Sequence, residues 1–342
     1  MPSRTRPSPT LDTVAAEAGV SRQTVSNALN SPHLLRADTL ARVQAAIDRL
    51  GYMPNRAARN LRTKASRLIG LRVEPPTEGR TGRLTDRFLY ALANSARTAE
   101  LQVLLFSAED PADPHGGYEQ LLGSRAVDAF VLADANKGNP LAPWLTSRQV
   151  PFVAFGRPWA QPEATHPWVD IDGQAGVALA VDHVVDRGHE RVAWVGRHKD
   201  SFIGEDRRSG WVQRMHERGL STSQLSARGD DTIDYGRRAT FALLDGSAPT
   251  AFLCASDTIA VGVLQALRDR GLTVGGDPEK EYAVVGFDDS LSAQVTGLTT
   301  VRPPLEEVAG ELVRLLDLRL TRPMTQQPGV ILRPSLRVRT TS

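Results

Sequence analysis

Along residues 11–30 apolar side chains recur at helical spacing, break off, and resume. Leu11, Val14, Ala15 and Ala18 share one face of a first helix; Gly19-Val20 interrupts it; Ser21 opens a second helix whose inward face is Val25, Ala28 and Leu29. Two short helices joined by a three- or four-residue turn containing glycine form a helix-turn-helix. A third helix is predicted from Ala37 to Leu50, with Leu40, Val43, Ala46, Ile47 and Leu50 on one face and Gly51 as its stop. Arg36 stands where a Ser or Thr cap is usual, so Asp38 or the preceding loop must satisfy the first amides. The start of the second helix carries Arg22, Gln23, Thr24, Ser26 and Asn27. These are hydrogen-bonding side chains of the kind that read base edges in a major groove.

From Leu68 the pattern changes to short apolar runs alternating with amphipathic stretches. Strands are predicted at Leu68–Val73, Val103–Phe106, Ala129–Leu132, Phe152–Phe155, Trp168–Ile171, Val192–Gly196, Ala251–Ala255 and Ala283–Gly286, with a last one at Val330–Leu332. Helices are predicted at Thr85–Ala99, Tyr118–Leu122, Gln174–Arg187, Arg207–Arg218, Tyr235–Leu244, Thr258–Arg270 and Glu306–Leu320. Near-continuous apolar strands between helices imply parallel sheets covered on both faces. So many strands are too many for one doubly wound sheet, so two lobes are expected. The Glu306–Leu320 helix and the strands near its ends are expected to return to the first lobe, making the crossovers a hinge.

Charge separates the two parts. Overall 41 Lys/Arg face 39 Asp/Glu, but up to Arg67 the count is 11 against 4, and beyond it 30 against 35. A small basic module on an acidic globular body points to nucleic acid at the N-terminal end. The lone Cys254, in the run Ala251-Phe-Leu-Cys-Ala, excludes an internal disulfide framework and is expected as a buried apolar residue. No apolar run is long enough to span a membrane, and the start MPSRTRPSPT is no secretory signal, so a cytoplasmic, nucleoid-associated protein is expected.

These residues carry a resemblance. LDTVAAEAGVSRQTVSNALN, RLGYMPNRAARNLRT, WVDIDGQAGVALAVDHVVDRGHERVAWVG, SDTIAVGVLQAL and VVGFDDS, in that order, make the chain similar from Thr10 to Arg339 to bacterial transcription regulators of the lactose- and galactose-repressor (LacI) family. The resemblance implies an all-α helix-turn-helix headpiece, a hinge helix, and an α/β two-lobed effector domain like the periplasmic sugar-binding proteins, built on two doubly wound parallel sheets. The expected organisation is a disordered basic arm at 1–9, the headpiece at 10–54, hinge helix and linker at 55–67, and an effector-binding and dimerisation domain at 68–342. Its first lobe is expected at 68–164 and 299–322, its second at 165–298 and 323–342.

Carried onto this chain, the resemblance puts Arg22, Gln23 and Asn27 on bases and Ser21, Thr24 and Ser26 on phosphates, which position without specifying sequence. Asn55 to Arg62 matches the hinge helix, and Leu61 the leucine that wedges into the minor groove. Without the resemblance Leu61 would read as an apolar anchor on the body; the neighbouring Arg56, Arg59 and Arg62 favour DNA. Arg207 and Asp288 fall on the family's recurrent effector positions, and Ser256 stands where many relatives have Asn. Glu74, past the first strand, and Tyr235, at a helix start, are weaker effector candidates. Asp134 and Trp168 rank at or below them. An arginine fork beside a carboxylate suits neighbouring hydroxyls, although Arg207 and Asp288 could instead form a lobe-closing ion pair.

The expected partners are double-stranded operator DNA read as a palindrome by a homodimer, and a small-molecule effector, a mono- or oligosaccharide. No cofactor, metal or membrane partner is expected. His183 and His189 are off the spacing of a metal-binding helix pair, and Glu205-Asp206 reads as a charged loop at the cleft mouth. Asp288-Asp289 could serve as an acid/base pair, but no nucleophile or dinucleotide motif accompanies it, so no enzyme is expected. Two rivals remain, a sugar-transport binding protein and an enzyme on the same scaffold. Residues 10–63 argue against the first; turnover of candidate sugars would reveal the second.

Overall fold

The computed structural model describes residues 9–53, 65–73, 86–108, 110, 113–133, 140–159, 161, 163–322 and 329–342. The arm before Pro9, the hinge-segment residues Asn55, Arg56, Arg59 and Leu61, and Glu74 and Asp134 lie outside them. The chain divides into two compact units, Met1–Ala65 and Ser66–Ser342.

In the first unit, α1 (Leu11–Ala18) begins with a reciprocal cap between Thr10 and Thr13. It ends at Gly19, whose φ of 62° is a left-handed conformation that favours glycine. Arg42 of α3 (Ala37–Leu50) donates to the carbonyls of Ala18 and Gly19 at 3.1 and 3.2 Å, satisfying helix-end acceptors and fixing the turn. Ser21 Oγ accepts the amide of Thr24 at 3.1 Å and starts α2 (Arg22–Asn30). Val14, Val25, Val43, Ala46 and Tyr52 form the core between the three helices. Arg36 occupies the cap of α3 without a side-chain bond; Asp38 lies in the first turn, where its charge complements the helix dipole.

The second unit holds two six-stranded sheets. One contains β1 (Leu68–Arg72), β2 (Gln102–Phe106), β3 (Ala129–Leu132), β4 (Phe152–Phe155), β5 (Trp168–Ile171) and β11 (Val330–Leu332), in the order β11-β5-β4-β3-β1-β2. The other contains β6 (Val192–Arg197), β7 (Ser226–Gly229), β8 (Ala251–Cys254), β9 (Ala283–Phe287), β10 (Thr299–Arg302) and β12 (Ser335–Arg337), in the order β12-β10-β9-β8-β6-β7. The pairings are parallel except that of β10 with β12. Helices α4 (Asp86–Thr98), α5 (Tyr118–Gly123), α6 (Leu141–Ser147) and α12 (Leu305–Thr321) cover the first sheet. Helices α7 (Gly173–Val185), α8 (Phe202–Glu217), α9 (Ile233–Ser247), α10 (Asp257–Asp269) and α11 (Leu291–Thr296) cover the second. Every residue of β3, β8 and β9 is buried, as strands covered on both faces require. Cys254, at the end of β8, is buried in the second lobe's core.

Three lobe assignments change. Trp168–Ile171 pairs with β4 and β11 and belongs to the first lobe, as does Val330–Leu332; Thr299–Arg302 pairs with β9 in the second. The apolar run of a strand shows that it is buried but not which edge accepts it, so dividing the chain by order alone misplaced all three. The lobes are joined where β5 runs into α7, where β10 runs into α12, and where β11 runs into β12. Asp172 N donates to Leu332 O at 2.9 Å, tying the first of these connections to the third. As expected, α12 returns to the first lobe, burying Val308, Leu312, Leu315 and Leu316 in the core that holds Phe88 and Leu92 of α4.

Candidate functional site

The polar side of α2 is partly organised in advance. Gln23 Nε2 donates to Asn27 Oδ1 at 3.0 Å, one turn apart on an open face. Arg22 stands 3.8 Å from Asp12 of α1, with both side chains about two-thirds exposed, so that pair holds it loosely. Ser21 Oγ is engaged in capping and lies 2.9 Å from Thr24 Oγ1, whereas Ser26 is half-buried and its carbonyl accepts from Asn30 at 2.6 Å. Buried Val25 turns the opposite side of the helix into the core. Arg22, Gln23 and Asn27 therefore share a surface free to enter a groove.

A second group gathers at the carboxyl ends of β6, β8 and β9, where open α/β sheets place their ligands. Asp288 follows β9 with φ 120°, a strained conformation for a residue bearing Cβ. Its amide donates to Val301 O at 2.9 Å. Arg207 comes from inside α8, which starts at Phe202 behind the Ser201 cap. The helix begins five residues before the predicted start at Arg207, because Gly204 and the acidic pair after it mask the Ser201 cap in the sequence. Glu205 and Asp206 are consequently helical, not a mouth loop, and Asp206 is buried.

Arg207 Nη1 donates to Ala255 O at 2.5 Å, Nη2 lies 3.5 Å from Asp288 Oδ1, and the guanidinium sits 3.5 Å over the Phe287 ring. Its Nε has no partner among the described residues. Burial pushes the Asp288 carboxyl up from its ordinary range, and Arg207 and Arg197 oppose the shift. Both residues belong to the second lobe, so their ion pair does not close the lobes on one another. With 30% of its side chain exposed, Asp288 can accept from a ligand hydroxyl beside the guanidinium fork.

Ser256 is the cap of α10 itself, accepting from Ile259 N at 3.2 Å and donating to Asp231, which in turn pairs with Arg197 at 2.5 Å. Its neighbour Asp257 accepts from Thr300 Oγ1 at 2.6 Å and Ser290 N at 2.8 Å, beneath the Asp288 turn. Tyr235 packs its ring against Gly229 and the second-lobe core, with its hydroxyl buried and its ionisation pushed up by that burial. It is a packing residue here. Trp168 lies against Gly329, leaving no room there for a Cβ. His183 bonds Ser342 Oγ at 2.9 Å and His189 bonds Thr250 Oγ1 at 3.1 Å, both structural contacts. Arg157, Trp159, Asp170, Gln174 and Phe202, between the lobes, escaped the sequence reading, which had placed only Asp206 near the cleft. Arg157 follows an apolar strand just as Asp288 does, and that rule would have found it.

Comparison with known proteins matches residues 10–55 to a family described as bacterial regulatory proteins, lacI family, and residues 181–342 to a periplasmic binding protein-like domain. The HTH-type transcriptional regulator CelR of Thermobifida fusca is 33% identical over 342 residues, covering 97% of each chain. A solved complex of the transcriptional regulator CelR with cellobiose superposes with a TM-score of 0.72 at 30% identity, covering 98% of this chain and all of that one. The lac repressor dimer bound to operator and the anti-inducer ONPF gives a TM-score of 0.76 at 26% identity, covering 97% and 98%.

Proposed function

Because this chain belongs to the lacI family of bacterial regulatory proteins and is a DNA-binding transcriptional regulator, we propose that it is a homodimeric repressor of a palindromic operator, controlled by a sugar. The observation that carries the effector half is Arg207 beside Asp288 at the strand ends, a donor fork and an acceptor placed for adjacent hydroxyls. The complex of CelR with cellobiose makes a gluco-disaccharide the first compound to try. Exposed apolar residues support the dimer: Tyr90 and Leu105 on α4 and the edge strand β2, and Leu291 and Val295 on α11. Large apolar side chains on an uncovered edge strand and short helix are what a partner copy would bury.

In this reading the effector favours one relative arrangement of the lobes, and that arrangement sets whether the paired Asn55–Arg62 segments fold in the minor groove. An ordinary coupling of ~1–3 kcal/mol changes operator affinity roughly 5–150-fold. The test is calorimetry of cellobiose and a panel of mono- and disaccharides, followed by the same sugars in a titration against a site selected from random duplex. Binding together with a shift in DNA affinity supports the reading, and the sign of the shift distinguishes inducer from co-repressor. A panel that moves DNA affinity not at all would remove the sugar from it.

A further inference from the structure

A cluster distinct from Arg207 and Asp288 bridges the two lobes beside the first connection. Arg157 follows β4 in the first lobe. Its Nε donates to Asp170 Oδ2 on β5 at 2.5 Å, and its Nη2 faces Asp206 Oδ2 on α8 of the second lobe at 3.8 Å. Two residues on, Trp159 stacks on Phe202, the first residue of α8, with centroids 5.8 Å apart and planes within 10°. The Arg157 guanidinium also lies 4.4 Å over the Trp159 ring. One short first-lobe segment thus meets the beginning of α8 through an ion pair and an aromatic stack.

The second-lobe half of this contact is built in. Asp206 Oδ1 accepts from Gln174 Nε2 at 2.9 Å, and its side chain is 4% exposed. A Cβ on Gly173, in the connection itself, would stand 2.5 Å from Asp206 Oδ2 and 3.1 Å from Arg207 Cγ, so glycine allows the connection to pass directly against both. A buried carboxylate with no cation nearby is unfavourable, and burial already pushes the Asp206 carboxyl up while Arg157 holds it down. Arg157 is held by Asp170 within its own lobe, and Asp206 by Gln174 within the other. Any change in the angle between the lobes therefore acts on the Arg157–Asp206 and Trp159–Phe202 contacts, not on the supports behind them. Asp206 and Arg207 are consecutive on α8, one directed to the hinge and the other to Asp288.

We propose that Arg157 and Trp159 form a clasp on Asp206 and Phe202 that sets the resting balance between the lobe arrangements, with Arg157 and Asp206 acting as positioning residues for Arg207. Two charges meeting at 3.8 Å in a nearly dry site, reinforced by a ring stack, favour the clasped arrangement; removing either contact releases α8 from the first lobe.

The experiment measures the distance between spin labels on Ser147→Cys of α6 and Arg238→Cys of α9, both exposed, in protein without DNA or sugar; Cys254 is buried and takes no label. It requires neither the operator nor the effector, so a failed sugar panel leaves it untouched. Asp206→Asn preserves shape, and Trp159→Ala removes the stack without touching a charge. Each is expected to shift the distribution to longer separations and widen it while melting remains cooperative, and Arg157→Lys is expected to restore most of what Arg157→Gln loses. A merely structural role would not produce that rescue. Distributions unchanged in both Asp206→Asn and Trp159→Ala would overturn the clasp. So would a shift in Arg157→Gln without one in Asp206→Asn, because the arginine would then serve only Asp170.

Discussion

Gln23 donates its amide to Asn27 at 3.0 Å across one turn of α2, so the two side chains proposed to meet bases brace each other. Gln23→Ala removes a contact and also the brace on Asn27. The expected outcome of selection from random duplex is altered preference at two neighbouring base positions, each worth ~1–3 kcal/mol of discrimination. An unchanged motif would exclude Gln23 from base readout.

Leu61→Ala is expected to weaken binding to the selected operator much more than to random duplex, because a wedge contributes only at a step that kinks. Non-specific binding rests on the basic N-terminal segment and should fall steeply with salt for wild type and variant alike. Mobility-shift titrations on both duplexes decide it; equal losses on the two would assign Leu61 to the body of the protein.

For the proposed effector pair, Arg207 and Asp288, the two substitutions differ. Asp288→Asn keeps the turn and is expected to weaken sugar binding by ~1–3 kcal/mol, roughly 5–150-fold, with operator binding nearly unchanged. Arg207→Ala removes the cation beside Asp288 and the buried donor to Ala255 O, and is expected to lower stability as well. Calorimetry with the sugar identified by the panel, alongside urea unfolding of both variants, separates these effects. Wild-type affinity in Asp288→Asn would place the pocket elsewhere.

Asp257 introduces a pH dependence. Burial, with the charge of Asp288 adding to it, pushes its carboxyl up to about 7 from 3.8, against hydrogen bonds from Thr300 and Ser290. The folded protein then holds a proton that the unfolded chain releases between those values, so stability contributed by that proton is lost as pH rises through about 7. Urea midpoints should fall between pH 5 and pH 8 in wild type and fall less in Asp257→Asn. Parallel slopes in the two proteins would mean that Asp257 is ionised throughout.

Much of this was legible because burial and periodicity coincide. The headpiece helices follow from Val14, Val25 and Val43, and the central strands from runs such as Ala251-Phe-Leu-Cys. What escaped lies at edges. Ser226–Gly229 has no large apolar residue, since an edge strand need cover little, and Leu291–Thr296 is too short to display a helical period. Arg207 and Asp288 were visible through family motifs and the strand-end rule, whereas the Arg157–Asp206 meeting depends on a lobe arrangement that no local pattern encodes.

The threefold passage of the chain between lobes also has a consequence in time. The first lobe starts with β1, yet the apolar face of α4 that carries Phe88 and Leu92 is not fully covered until α12 arrives, after every second-lobe strand but β12 has been made. At translation rates of about 5–20 residues per second, that apolar face waits on the order of ten seconds or more on the ribosome. The second lobe, though begun later, lacks by then only its edge strand β12 and the residues that follow it. The lobe that emerges first thus waits longest for its covering helix, and it is the one for which chaperone protection during synthesis matters most.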